Sequence, residues 1–274
     1  MSKDNLGDRI KTYEYVTRQY LLRRTPVIIR IDGKAFHTYT KGFERPFDRV
    51  LTQTMQDTMQ YLCENIEGCV LGYTQSDEIT LVLCDYKKLN TQAWFNANVQ
   101  KMCSVAASMA TMAFNYNFEK NVKANVTEMC KQGNLNSSYI RENVLKHALF
   151  DARVFNVPRE EVNNCLLWRQ QDATRNSIQS VAHAYFSDRQ IKNKNTNMLQ
   201  EMLWQEKGIN WNNYPTHYKR GSCCVKEQYE VDGANGKTLR THWVVDTEIP
   251  IFSKDTTYVN SRIIFPNIND NKRD

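Results

Sequence analysis

Two acidic positions in this chain stand beside apolar runs in a way that suits metal and phosphate chemistry. "VIIRIDGKAF" carries the run Val27, Ile28, Ile29 and Ile31 straight to Asp32 and Gly33. "GYTQSDEITLVL" reverses the order, with Ser76, Asp77 and Glu78 ahead of Ile79. Hard carboxylate oxygens beside phosphates suit Mg²⁺, which keeps several waters and takes few protein carboxylates. Gly33, lacking a side chain, lets the backbone approach such an ion and offer its carbonyl. Asp32, Gly33 and Asp77 are therefore the candidate metal ligands, and Glu78 is a third candidate catalytic carboxylate, as ligand or as a partner behind the ligands. Two ions about 3.5–4 Å apart would clamp the attacking and leaving oxygens of a phosphoryl transfer. Taken singly, each stretch has a plainer reading. An aspartate after a strand is often a turn former, and Asp77–Glu78 could be a solvated hairpin tip.

The segment after Gly33 is rich in donors for phosphate oxygens: Lys34, His37, Lys41 and Arg45. Its backbone N–H groups could also cradle phosphate. The G-x-x-x-x-G-K-[ST] phosphate loop is absent. The alternative is a solvated basic loop, with His37 held structurally. Ser76 could donate to a phosphate or simply close its turn.

Asp32 and Asp77 lie 45 positions apart (77 − 32), so the elements between must bring them together. Residues 8–24 read as a helix with an apolar stripe at Ile10, Tyr13, Val16 or Thr17, and Tyr20, ended by Pro26. Residues 27–31 follow as a buried strand, and residues 33–46 as a loop. Pro46 suits a first helical position, opening a helix that runs to about residue 65. Residues 69–73 and 79–83 read as a hairpin around a polar turn at 74–78. A second long helix at 93–116 packs its small residues Ala106, Ala107, Ser108 and Ala110 on the sheet. Residues 147–158 supply a fourth strand. The order strand, helix, strand, strand, helix, strand is the split βαβ, ferredoxin-like plan of an α+β fold. On that plan the loop after the first strand and the tip of the hairpin share one sheet edge, where Asp32 would face Asp77. Beyond Pro158 come one or two helices to about 186, a short one ending near Trp204, and strands at 223–231, 243–251 and 262–265, with a turn at 232–237. No internal repeat is evident. Residues 1–158 thus form a catalytic domain with an N-terminal helix, and residues 159–274 a helical and β extension.

The 274 residues are ample for a sizeable core. With 41% hydrophobic and 24% charged residues, the chain has an ordinary globular composition. Its net charge of +6 and isoelectric point near 8.8 are compatible with a polyanionic partner without requiring one. The eight cysteines, at positions 63, 69, 84, 103, 130, 165, 223 and 224, form no CxxC pair and read as reduced thiols. The first residues carry no apolar signal core, and no run approaches about 18 apolar residues. A soluble cytoplasmic protein is expected, with a mitochondrial one compatible in a eukaryotic host.

"RIDGKAFHTYTKGFERPFD" and "YTQSDEITLVL" resemble the two signature blocks of the tRNA(His) guanylyltransferase superfamily. "GDRIKTYE", "WRQQD" and "YKRG" are similar to further blocks in the same order, over roughly residues 6–221. The resemblance implies a polymerase-like palm working 3′ to 5′, with Asp32, the Gly33 carbonyl and Asp77 on two Mg²⁺ ions. It implies that Gly33, Lys34, Ala35, Phe36 and His37, together with Ser76, contact the nucleotide, and that Arg45 binds triphosphate. ATP and GTP would be substrates, tRNA the partner, and a homotetramer the assembly. Activation of the RNA 5′-phosphate by a nucleoside triphosphate would precede attack by the 3′-hydroxyl of an incoming nucleotide.

One departure separates branches of that family. Where guanosine-adding eukaryotic members carry HINN, this chain has Thr174, Arg175, Asn176 and Ser177. The family's KPND is Arg45-Pro46-Phe47-Asp48 here, with the basic charge kept. The expected activity is therefore template-directed repair of truncated tRNA 5′ ends. A strict tRNA(His) guanylyltransferase, a palm-domain nucleotidyl cyclase and a non-catalytic RNA-binding module are the alternatives. Arg169, Arg175, Lys192, Lys194, Lys219 and Arg220 are the cations available to RNA phosphates. Trp168 reads as a core residue rather than a base-stacking platform.

Overall fold

The first three strands are nearly continuous apolar runs, as strands covered on both faces must be. In the computed structural model, which describes residues 5–131, 146–233 and 236–265, they are β1 (Val27–Gly33), β2 (Cys69–Gln75) and β3 (Glu78–Leu83). With β4 (Phe150–Asn156), β5 (Ser222–Gly233) and β6 (Gly236–Asp246) they build one sheet in the order β4-β1-β3-β2-β5-β6. All pairings are antiparallel, and β3 lies between β1 and β2. The chain is thus of the mixed α+β class.

Alternation along β1 sorts its side chains between two cores. Ile29 and Ile31 join Leu81, Leu83 and Phe150 on one face. That face is covered by α3 (Arg49–Asn65), through Met55, Met59 and Leu62, and by α4 (Val99–Lys131), through Ala106, Ala110 and Phe114. Ile28 instead joins Tyr73 and Val82 on the opposite face. There Val162 and Leu166 of α5 (Val162–Tyr185) and Val259 and Ile263 of a C-terminal helix (Thr257–Ile263) close the second core. A third cluster joins the far end of α5 to α7 (Thr196–Lys207) through Val181, Leu199, Leu203 and Trp211. The short helices α6 (Asp188–Ile191) and α8 (Thr216–Arg220) complete this region.

Several boundaries differ from the sequence expectation. α1 (Asn5–Val16) ends earlier and buries none of its side chains, and Tyr20 instead forms a bridge to Asn98. The loop after β1 contains one helical turn, α2 (Phe36–Tyr39), anchored by an aromatic cluster. Asp48, not Pro46, starts α3: its carboxylate accepts from the Leu51 N–H at 2.8 Å as the N-cap. The β2–β3 turn is only Ser76–Asp77, because Thr74 and Glu78 stay in the ladder. β6 starts and ends earlier than expected. Residues 262–265 are not a strand: Val259 and Ile263, one helical turn apart, anchor the C-terminal helix, α9 (Thr257–Ile263), in the second core. Residues 234–235 of the expected turn, and the side chain of Cys130, lie outside what is described, whereas the other seven cysteines are free thiols.

Candidate active site

Antiparallel pairing carries the two acidic stretches to one edge. Asp32 stands opposite Glu78 across β1–β3, and one residue on the Gly33 N–H donates to the Asp77 carbonyl at 3.1 Å. That bond ties the end of β1 to the hairpin tip. Ser76 has a left-handed φ of 49° and donates its hydroxyl to Asp77 Oδ1 at 2.9 Å. Burial pushes the Asp77 carboxyl above the ordinary aspartate range; the Ser76 bond opposes this, and the nearby Asp32 charge adds to it. The two acids are therefore near enough for the Asp32 charge to act on Asp77.

Glu78 shares the Asp32 face of the sheet but is already engaged. Its Oε1 accepts from Arg169 Nε at 2.6 Å, both side chains being only 9% exposed, and Arg169 also donates to Asp172 Oδ2 at 2.9 Å. Asp172 is held in turn by Arg175. Burial raises the Glu78 carboxyl despite the Arg169 charge that opposes it. This ion-pair chain fastens α5 to the start of β3, next in sequence to Asp77.

The donor set fits a hard divalent ion. Among the described residues no group of three or more His, Cys, Asp or Glu side chains could hold a metal. Nor does Asp32 make a side-chain hydrogen bond or ion pair among them. Two carboxylates and a backbone carbonyl are what Mg²⁺ accepts when substrate phosphates and water complete its shell.

The segment after β1 divides its residues by side. Phe36, Tyr39 and Phe43 pack among Phe114, Phe118 and Phe150, while Lys34, His37, Lys41 and Arg45 stay exposed. The Lys34 N–H donates to the Leu149 carbonyl at 2.8 Å, and Ala35 is left-handed at φ 53°. Gly33 is needed for contact rather than for backbone freedom: a Cβ there would lie 2.2 Å from the Phe36 ring. The buried aromatics thus hold the backbone from Gly33 to His37 still while its cations face solvent.

The cations considered for RNA fall into two groups. Arg175, Lys192 and Lys194 are at the surface or half-buried. Arg169 is engaged with Glu78, and Lys219 is buried with its Nζ donating to the Asn212 carbonyl at 2.5 Å, so neither is a surface charge. Arg220 is half-buried, and its carbonyl accepts from the Tyr73 hydroxyl at 2.7 Å. Trp168 is not in the core: it is 52% exposed. Sequence reasoning also passed over Arg30, the lone charge within the apolar run of β1, and Asp151, which pairs with Asp32 across β1–β4.

Two acids brought to one sheet edge beside a basic loop are an arrangement suited to nucleotidyl transfer. The sequence profile described as tRNAHis guanylyltransferase matches residues 7–158, and the chain belongs to that family. It is similar to a bacterial tRNA(His) guanylyltransferase-like protein solved in complex with ATP, with 42% identity and a TM-score of 0.81 over 96% of this chain and all of that one. A GTP complex of a bacterial protein of the same description matches at 43% identity and a TM-score of 0.75, covering 94% and 98% of the two chains. The tRNA(His) guanylyltransferase of Schizosaccharomyces pombe is 28% identical over 80% of this chain and 79% of its own length. Among the described residues no helix is long and apolar enough to cross a membrane.

Proposed function

We propose that this protein is a template-directed 3′–5′ nucleotidyltransferase that restores nucleotides to truncated tRNA 5′ ends. The observation that carries the reading is the Gly33–Asp77 backbone bond, which brings Asp32 and Asp77 to one sheet edge beside the basic loop. On this reading the βαββαβ order with β3 between β1 and β2 is a ferredoxin-like polymerase palm, and residues 159–274 are the extension that meets RNA and partner subunits. Asp32, the Gly33 carbonyl and Asp77 would hold Mg²⁺. When bound, the ion neutralises charge that develops on the transferred phosphoryl oxygens. The segment Gly33, Lys34, Ala35, Phe36 and His37 lines an ATP or GTP triphosphate, Lys34 and His37 through their side chains and Ala35 and Phe36 through backbone N–H groups, with Lys41, Arg45 and Ser76 alongside. Glu78, fixed by Arg169, acts by holding the start of β3 next to the turn that carries Asp77. Phosphoryl transfer asks mainly for positioning and charge neutralisation, which rigid donors supply.

Two features favour repair over strict guanosine addition. Thr174, Arg175, Asn176 and Ser177 stand where the HINN residues would, and identity to the bacterial guanylyltransferase-like proteins exceeds that to the S. pombe enzyme. Supplying each nucleoside triphosphate separately, with Mg²⁺, to a tRNA lacking its first nucleotide and to intact tRNA(His) tests this. Addition of the complementary nucleotide to the truncated tRNA supports repair. A single G added only to intact tRNA(His) supports the strict enzyme instead.

A further inference from the structure

We infer that Trp168 is a stacking platform for a nucleobase of the RNA, at or next to the 5′ end being extended; the inference rests on the function proposed above. A single exposed aromatic would ordinarily mean little. This one is held from two elements. The Arg169 guanidinium lies over its ring at 4.3 Å from the centroid, and that of Arg30 on β1 lies at 5.7 Å. Arg169 is itself fixed by Glu78 and Asp172, so the indole is oriented by a buried ion-pair chain while half of its surface faces solvent.

Its position sets the occupant. Arg30 precedes Asp32 by two residues on the same strand and shares its face of the sheet. That face is opposite to the one where Phe36, Tyr39 and Phe43 seat the nucleotide loop against α4. A base on Trp168, beside Arg30, would therefore lie on the face of the sheet that Asp32 shares, next to the paired acids. Arg175 lies seven residues beyond Trp168, two helical turns or about 10 Å along the same stripe of α5. Its exposed guanidinium can meet a backbone phosphate there. Sequence-tolerant stacking on an aromatic face beside a cation is how single-stranded ends are commonly held.

The test uses the full-length protein and a tRNA lacking its first nucleotide, with 2-aminopurine at the new 5′ end. Wild-type protein should quench the 2-aminopurine on binding. Trp168→Ala should abolish the quench and raise the Kd for the RNA roughly 5- to 100-fold, the range of one base stack. Trp168→Phe should restore most of both, and ATP affinity and melting temperature should not move. Equal quenching and RNA affinity in wild type and Trp168→Ala overturn the inference, as does a loss confined to ATP binding. Wild-type protein that neither binds nor extends this RNA defeats the repair reading itself, whatever Trp168 does.

Discussion

At the scale of single residues, the Arg169–Glu78 pair is where burial and charge are most closely balanced. Removing one partner of a buried pair strands the other charge, at a cost of about 3–5 kcal/mol, whereas replacing both is far milder. Arg169→Met should therefore lower the melting temperature sharply, and Arg169→Met/Glu78→Met should recover much of it; equal losses in the two variants would deny the pairing. His217, half-buried on α8, supplies a pH dependence. Burial lowers its pKa despite the opposing Glu248 charge, and its Nδ1 has no hydrogen-bond partner among the described residues. A histidine whose folded pKa is depressed contributes stability that is full above the ordinary histidine value and is lost as pH falls through it. Thermal stability should decline from about pH 7 to pH 5, and His217→Gln should decline less over that window. The two acids could be read as candidates because each adjoins an apolar run. Trp168 was misread, since which face of a helix a tryptophan occupies depends on what packs against that helix, and here Val162 and Leu166 take the core while Trp168 is left half-exposed beside Arg30 of β1.

Among the elements, the β1–α2 corner is the part whose geometry admits least change. The Phe36 ring occupies the place where a side chain at position 33 would stand. Gly33→Ala must push that ring out of an aromatic cluster formed with Tyr39, Phe114 and Phe150. Such overpacking costs about 1–3 kcal/mol. ATP affinity should fall with it, as measured by calorimetry, because the loop backbone shifts with the ring. Wild-type affinity in the Gly33→Ala protein would show that the loop does not depend on this contact. The order of β1, α3, β2, β3, α4 and β4 could be read from hydrophobic patterns alone, because β1, β2 and β3 are covered on both faces and β4 keeps an apolar start at Phe150. The C-terminal helix could not. Its Val259, Ile263 and neighbouring Ile264 and Phe265 favour strands locally, and only the groove beside β2 and α5 decides for helix. Likewise the hairpin turn shortens to two residues because Thr74 and Glu78 find ladder partners that no local signal announces.

For the molecule as a whole, α1 is the element left without a core. Leu6, Ile10, Tyr13 and Val16 recur at helical spacing, yet all are exposed. A contiguous apolar stripe of this kind marks an interaction surface. Light scattering should give a mass that is a multiple of the 32.1 kDa chain, and Ile10→Asp/Tyr13→Asp should reduce it. A monomeric wild type would refute that role for α1. The assembly, like the RNA partner, could be expected only from resemblance, since no residue pattern counts subunits.

The most direct test of the whole account is extension of a 5′-truncated tRNA by wild-type protein and by Asp77→Asn, with Mg²⁺ and nucleoside triphosphates present. The paired-acid site predicts template-matched addition by wild type and a fall of about 100-fold or more in Asp77→Asn at unchanged melting temperature. Equal extension by the two proteins would contradict it.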